Sequence, residues 1–441
     1  MSRMSPGAGF PCTANQMMVA RLQAKGYVSN VPLLLRATGQ LWPDSLREAL
    51  QLIVDRHEVL RSVFTGSGDN FMQTPVEGVR IGPLPIVDMS PAADPMAAAL
   101  DEVGADGQHP FDMNGPSRLR ARLFRLGPDD YLVSLLIDHL AADGLSLGII
   151  TAEWRSFYQS LVAGTLFEIP AIAPQYRDFA LWQRAWLKGN EAEQLRTDWL
   201  KGLDGMEPQA TVAAAAPYTA QLLSFQLDAG AARHLSALCV KHRIKPFVGV
   251  LACYAALLSV GTGEDDLIIG TVRANRRRPD TPHMVGHFAN LVPLRTRVDR
   301  GWPVETLLHE FAAVTVAAYA RDGLPFSDLA SATWRARRIP ASRLADIAIN
   351  FVPFPDQPAP WGGELRMEQL WRQFGDRPPA TGRITLFVRY QQSALGGVLM
   401  YDPRTIDPAW ADRFPEMLTV ALGRLADGSA RTVADMLADF G

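Results

Sequence analysis

The chain has 441 residues, more than one hydrophobic core usually organises, so two domains or lobes are expected. A hydrophobic fraction of 48%, a charged fraction of 20% and a net charge of −3 describe an ordinary globular composition with no electrostatic pull toward nucleic acid or an anionic membrane. The three cysteines, Cys12, Cys239 and Cys253, are odd in number and lack ligand-like spacing, which argues against a disulfide framework or a zinc site.

The N-terminal stretch through Gln16 has no apolar leader region, and no uninterrupted apolar run reaches the roughly 18 residues of a membrane span, so the expected location is cytoplasmic. Val31 to Thr38 reads as a strand. Ser45-Leu46-Arg47-Glu48 has the form of a capping box and starts a helix with Leu46, Ala49, Leu50, Ile53 and Val54 on one face. That helix ends in Arg56-His57-Glu58-Val59-Leu60-Arg61, a small charge network with a structural role. Residues 69 to 116 are rich in Pro, Gly and Asp and suit short strands, surface loops and a helix near Pro95 to Val103.

Tyr131 to Gly148 carries the chemistry. Tyr131 to Ile137 is an apolar, β-branched and aromatic run with the length of a buried strand. Asp138, His139 and Asp143 follow, and Gly144 opens a segment whose Leu145, Ile149, Ile150, Trp154, Phe157, Tyr158 and Leu161 recur at helical spacing. The polar cluster thus sits where a strand hands over to a helix, a place where rigid elements commonly display catalytic groups. His139 is the natural actor, because imidazole accepts and returns a proton near neutral pH. Gly144-Leu145-Ser146-Leu147-Gly148 also matches the GxSxG nucleophile elbow of α/β-hydrolases, although an elbow serine lies on the tight turn directly after its strand and Ser146 lies well beyond Ile137.

Gly164, Pro170 and Pro174 mark a connector, and a lobe boundary is placed there. Further on, helical patterns cover Gly230 to His242, Pro246 to Val260 and Pro303 to Ala320. Strands are expected over Asp266 to Val272, Asp346 to Val352, Thr385 to Tyr390 and Gly397 to Tyr401, with a rigid loop over Pro353 to Gly363 and amphipathic helices from Asp407 onward. The alanine-rich stretch Thr211 to Pro217 is the nearest approach to low complexity. The basic run Arg276-Arg277-Arg278 reads as a solvated turn.

His139-x-x-x-Asp143-Gly144 resembles the HHxxxDG signature of the condensation-domain superfamily, the acyltransferases of nonribosomal peptide synthesis and their chloramphenicol acetyltransferase-like relatives. Other stretches resemble motifs of the same family in the same order. Arg56 to Phe64 is similar to RHExLRTxF, Tyr176 to Gln183 to YxDYAxWQ, Gly270 to Arg295 to GTPVAxRxxPxxxxxIGxFVNTLxLR, and Gly323 to Leu329 to the late PFxxLV motif. Two departures stand out. Asp138 replaces the first histidine, so the segment equally fits the DxxxxD signature of heterocyclisation domains, and Val272-Arg273 stands where the motif has Pro-Val.

The resemblance implies an α/β (α+β) fold of two chloramphenicol acetyltransferase-like lobes, residues 1–172 and 173–441, set in a V with the active site in a tunnel between them. It implies a free-standing condensation enzyme. An acyl group on the phosphopantetheine arm of an acyl carrier or peptidyl carrier protein, met in trans, would pass to a small-molecule amine or hydroxyl acceptor, with no metal or small-molecule cofactor and with neither nucleic acid nor membrane as partner. In that family His139 corresponds to the catalytic histidine, as base or as positioner of the nucleophile. Asp143 would hold the loop by pairing with Arg276, Gly144 would bring its backbone amide to the reacting carbonyl, and Asp138 would be structural, so that Asp138→His keeps activity. Heterocyclisation, a non-catalytic carrier-docking module and a hydrolase using Ser146 stay open as alternatives.

Overall fold

The computed structural model describes residues 9–165, 172–206, 218–352, 358–370, 379–380, 382–391 and 394–440. The chain divides into two compact units. The first gathers Met1–Glu193, Ala274–Ala289 and Pro355–Gly375, and the second gathers Gln194–Arg273, Asn290–Phe354 and Asp376–Gly441. A single cut at 172/173 therefore does not describe the units. The Tyr176–Trp186 helix stays with the first, and the chain returns to that unit twice.

The first unit is built on a six-stranded sheet in the order Ala359–Gly362, Leu365–Leu370, Asn30–Thr38, Asp130–Asp138, Leu119–Gly127, Ile86–Asp88, antiparallel except for the last pair. The Asp130–Asp138 strand lies in the interior of the sheet, and its two faces are both covered. Val133, Leu135 and Ile137 pack with Leu46, Leu50 and Ile53 of the Pro43–Arg56 helix and with Ile150, Trp154 and Tyr158 of the Gly144–Ala163 helix. Leu132 and Leu136 face the other way, toward Ala99 and Val103 of the Pro95–Gly107 helix. Burial on both faces is why the strand reads as a continuous apolar run rather than an alternation.

The Pro43–Arg56 helix begins earlier than its apparent capping box. Trp42 is the N-cap and Pro43 occupies the first helical turn, where its fixed φ suits a helix start and its missing N–H costs nothing. Ser45 and Glu48 therefore lie inside the helix. Its end matches the expected charge network, with Arg56 Nε at 3.1 Å from Glu153 Oε1, His57 Nε2 at 2.8 Å from Glu153 Oε2, and Arg61 Nη1 donating to Glu77 Oε1 and the Val76 carbonyl, each at 2.9 Å.

The second unit has a six-stranded mixed sheet in the order Asn290–Arg297, Asp266–Arg273, Ile347–Phe351, Ile384–Gln391, Ala394–Tyr401, Gln221–Gln226. The Pro246–Thr262 helix runs through its core, with Leu251, Cys253, Tyr254 and Leu258 wholly buried. Among the described residues, no single helix is long and apolar enough to cross a membrane. Arg273, at the motif departure, reaches Asp322 with Nε at 3.2 Å from Oδ2 and stacks its guanidinium 3.9 Å from the Tyr319 ring centroid. Of the expected rigid loop, Ala359–Gly362 forms a sheet strand, while residues 353–357 lie outside the described residues, as does the stretch 211–217.

Candidate active site

His139 is the first residue beyond the Asp130–Asp138 strand. Its backbone N–H donates to the Ser29 carbonyl at 3.0 Å, and its Nδ1 lies 2.7 Å from the Ala142 carbonyl oxygen. A carbonyl can only accept, so Nδ1 carries the proton and Nε2 of the neutral ring is left with its lone pair. The ring is half-buried, and Nε2 makes no hydrogen bond among the described residues.

The loop that carries this ring is held by Asp143, 1% exposed and the N-cap of the Gly144–Ala163 helix. Its Oδ1 accepts from the Ser146 amide at 2.8 Å, the Ser146 hydroxyl at 2.8 Å and Arg276 Nη2 at 3.2 Å. Its Oδ2 accepts from the amides of Phe288 and Ala289, both at 3.0 Å. Arg276 is further fixed by the Thr281 carbonyl at 2.7 Å and lies 4.2 Å from the Phe288 ring centroid. The structure thus brings Asp143 and Arg276 together, and through them binds the returning segment Ala274–Ala289 to the strand–helix loop. Breaking one partner of such a buried pair costs about 3–5 kcal/mol.

Ser146 is wholly buried in the first helical turn. Its oxygen lies 2.8 Å from Asp143 Oδ1, 2.8 Å from the Gly286 carbonyl, 2.9 Å from Arg276 Nη2 and 3.1 Å from the Gly286 amide. A hydroxyl enclosed and occupied in this way is not a nucleophile, so the hydrolase alternative loses its central residue. Gly144 and Leu145, by contrast, are exposed at the helix start. Their amides precede the first intrahelical bond, and the positive end of the helix dipole favours negative charge at that spot. No heavy atom lies within 4 Å of where a Cβ on Gly144 would be, so its lack of a side chain leaves open space.

Asp138 points away from this chemistry. It has no exposed surface, and its Oδ2 meets Arg118 Nη1 at 3.0 Å, with Arg118 equally enclosed. Its Oδ1 accepts from the Leu140 amide at 3.0 Å and Gln23 Nε2 at 3.2 Å. Burial pushes the Asp138 carboxyl up and the Arg118 guanidinium down from their ordinary values, and their mutual attraction opposes both shifts. Asp138 is therefore an anchor for the strand end. An imidazole at this position supplies Arg118 with no negative charge, so Asp138→His is expected to cost stability, and whether it keeps activity is a matter for transfer measured per folded molecule. The DxxxxD reading is also weakened, since both of its carboxylates are buried and consumed by arginines.

One site residue has no counterpart among those expected from the sequence. His287, 4% exposed, stacks its ring on that of His139 with centroids 4.1 Å apart and planes 13° from parallel. Its carbonyl accepts from Tyr176 Oη at 2.6 Å and Asn15 Nδ2 at 3.2 Å, and Asn15 also reaches the Ala289 carbonyl at 2.8 Å. The Tyr176 ring lies so close over Gly286 that no Cβ fits there, which accounts for a glycine next to His287. Burial pushes His287 well below the ordinary histidine value, the His139 imidazole adds to this, and a contact with the His139 backbone opposes it. The signal in the sequence was a histidine at the variable position of a Gly-x-Phe motif, without any local pattern to link it to His139.

The condensation-domain family model matches residues 10–374. The chain is 31% identical over 401 residues to phosphinothricin tripeptide synthetase PhsC of Streptomyces viridochromogenes, an alignment spanning 89% of this chain and 37% of that protein. It is 28% identical over 401 residues to the nonribosomal peptide synthetase TES of Alternaria alternata, spanning 89% of this chain and 8% of that protein. It thus spans well under half the length of these relatives. Among solved structures, the X-domain from teicoplanin biosynthesis superposes with a TM-score of 0.84 at 21% identity, over 98% of each chain. The first condensation domain of the CDA synthetase superposes with a TM-score of 0.78 at 20% identity, over 98% of this chain and 99% of that one. The fold is accordingly the mixed α/β, chloramphenicol acetyltransferase-like fold of these domains, and the chain, matched by the family model over most of its length, belongs to the condensation-domain family of nonribosomal peptide synthesis.

Proposed function

We propose that this protein transfers an acyl group from the phosphopantetheine thioester of an acyl or peptidyl carrier protein to the nitrogen or oxygen of a small-molecule acceptor, forming an amide or an ester. The observation that carries the reading is the His139 ring, with Nδ1 committed to the Ala142 carbonyl at 2.7 Å and Nε2 left as a base, on the loop that leads into the exposed helix start at Gly144 and Leu145. Nε2 takes the proton of the attacking amine or hydroxyl as its new bond to the thioester carbon forms. The carbonyl oxygen, gaining negative charge, is met by the Gly144 amide at the positive end of the helix. The intermediate then collapses, the carbon–sulfur bond breaks and the thiolate recovers a proton from the His139 imidazolium. Asp143 and Arg276 act on none of these atoms and keep the loop in register.

Proton transfer by a positioned histidine contributes about 10²–10⁴-fold to rate, and a preorganised oxyanion donor a comparable factor. Heterocyclisation is disfavoured by the burial of Asp138 and Asp143. A structural neighbour at 21% identity is an X-domain in complex with OxyB, so binding of a partner without chemistry is the alternative that the test has to separate. The test is the mass of the product formed when acyl-loaded carrier protein is mixed with this protein and a pool of amines and alcohols. Acyl transfer adds the acyl group to one acceptor, heterocyclisation removes one further water, and a docking module leaves the carrier loaded.

A further inference from the structure

Among the described residues, Nδ1 of His139 makes one hydrogen bond, to the Ala142 carbonyl. One bond fixes the position of that atom and the tautomer, but it leaves the ring free to tilt about the N···O line and to swing Nε2 with it. A base within reach of its proton acts only if the lone pair is aimed, and misplacing a reacting atom by about 1 Å costs on the order of 10²-fold in rate. The second restraint on the ring is a face, the imidazole of His287 at 4.1 Å and 13°.

The backbone that carries that face is held on both sides. The His287 carbonyl is fixed by Tyr176 Oη and Asn15 Nδ2, and the next two amides are fixed by Asp143 Oδ2. The same carboxylate that caps the catalytic helix therefore sets the height of His287 against His139. We infer that His287 is a positioning residue for the acyl-transfer reaction, its ring acting as a rigid plate that fixes the plane of the His139 imidazole and so the direction of Nε2. The inference rests on the proposed role of His139. An uncharged ring also suits the step in which His139 becomes imidazolium, since a cation is attracted to an aromatic face. Burial favours the neutral form of His287, in keeping with this.

The test compares wild type with His139→Ala, His287→Phe, His287→Leu and His287→Ala in steady-state transfer from acyl-loaded carrier protein, with melting temperature measured for each. Phenylalanine keeps a flat face, leucine keeps bulk without one, and alanine keeps neither. The expected result is a fall in kcat of at least about tenfold for His287→Leu and His287→Ala, KM for the loaded carrier within about twofold of wild type, and recovery of kcat to within about threefold of wild type in His287→Phe. Should alanine fail to fold, the leucine and phenylalanine proteins decide the matter alone. The inference is overturned if His287→Leu turns over like wild type, or if His287→Phe is as slow as His287→Leu. His139→Ala separates this failure from that of the underlying reading. If His139→Ala transfers at the wild-type rate, the reading itself falls, whereas an inactive His139→Ala beside a fully active His287→Leu removes only the role given to His287.

Discussion

Replacing Asp138 with alanine is expected to destabilise the protein without removing a catalytic group. The carboxylate has no exposed surface and accepts from Arg118 Nη1 at 3.0 Å, the Leu140 amide at 3.0 Å and Gln23 Nε2 at 3.2 Å. Its loss leaves the enclosed Arg118 guanidinium without the charge it faces, and breaking a buried pair this way costs about 3–5 kcal/mol. That is a large part of the roughly 5–15 kcal/mol by which a domain is stable. Arg118→Met should cost a similar amount, since it strands the carboxylate instead. Combining Arg118→Met with Asp138→Ala should cost less than the sum of the two single changes, because each change removes the charge that the other strands. Urea unfolding followed by circular dichroism measures all four proteins, and transfer per folded molecule is measured beside it. An Asp138→Ala cost below about 1 kcal/mol, additive single costs in the double mutant, or a loss of transfer as deep as that of His139→Ala would refute the reasoning.

Gly144→Ala should fold normally and even gain up to about 1 kcal/mol from helix propensity, because its Cβ enters open space at an ordinary φ, yet transfer should fall at least about tenfold as the methyl obstructs the approach to the amide; unchanged turnover would remove Gly144 from the mechanism. Ser146→Ala should cost about 1–2 kcal/mol of stability, keep transfer, and leave any turnover of simple esters as it was, which a chromogenic ester assay beside the transfer assay checks. His287 titrates well below the ordinary histidine value when folded, so below about pH 6.5 the unfolded chain binds a proton that the folded one refuses, and stability rises with pH across that window. Denaturation from pH 5 to 7.5 should show wild type losing up to about 1.4 kcal/mol per pH unit more than His287→Phe below pH 6.5, and equal slopes would show that His287 is not held neutral.

What was legible in the sequence had a local cause. The Asp130–Asp138 strand announced itself because helices cover both of its faces, and the Gly144–Ala163 helix because its apolar residues recur at the spacing of a turn. The Asp143–Arg276 pair was legible through the family motifs that carry both residues. The partner of Asp138 was not, because Arg118 comes from a loop-rich stretch without periodicity and is brought in by antiparallel pairing of two strands. Nor could local pattern reveal that Leu365–Leu370 joins the sheet of the first unit beside Asn30–Thr38, or that Asn15 and Tyr176 converge on the His287 carbonyl. At Ser45 the capping pattern was real as a pattern, and the proline two residues earlier overrode it.

The central claim is that His139, through a proton held at Nδ1 and a lone pair at Nε2, carries out acyl transfer. Single-turnover unloading of an acyl-carrier thioester in the presence of its acceptor, followed by intact-protein mass spectrometry for wild type and His139→Ala, tests it most directly. The account predicts that the rate falls by at least about 10²-fold in His139→Ala while the protein remains folded and still binds the loaded carrier. Equal unloading rates in the two proteins, with the acceptor acylated by both, would contradict it.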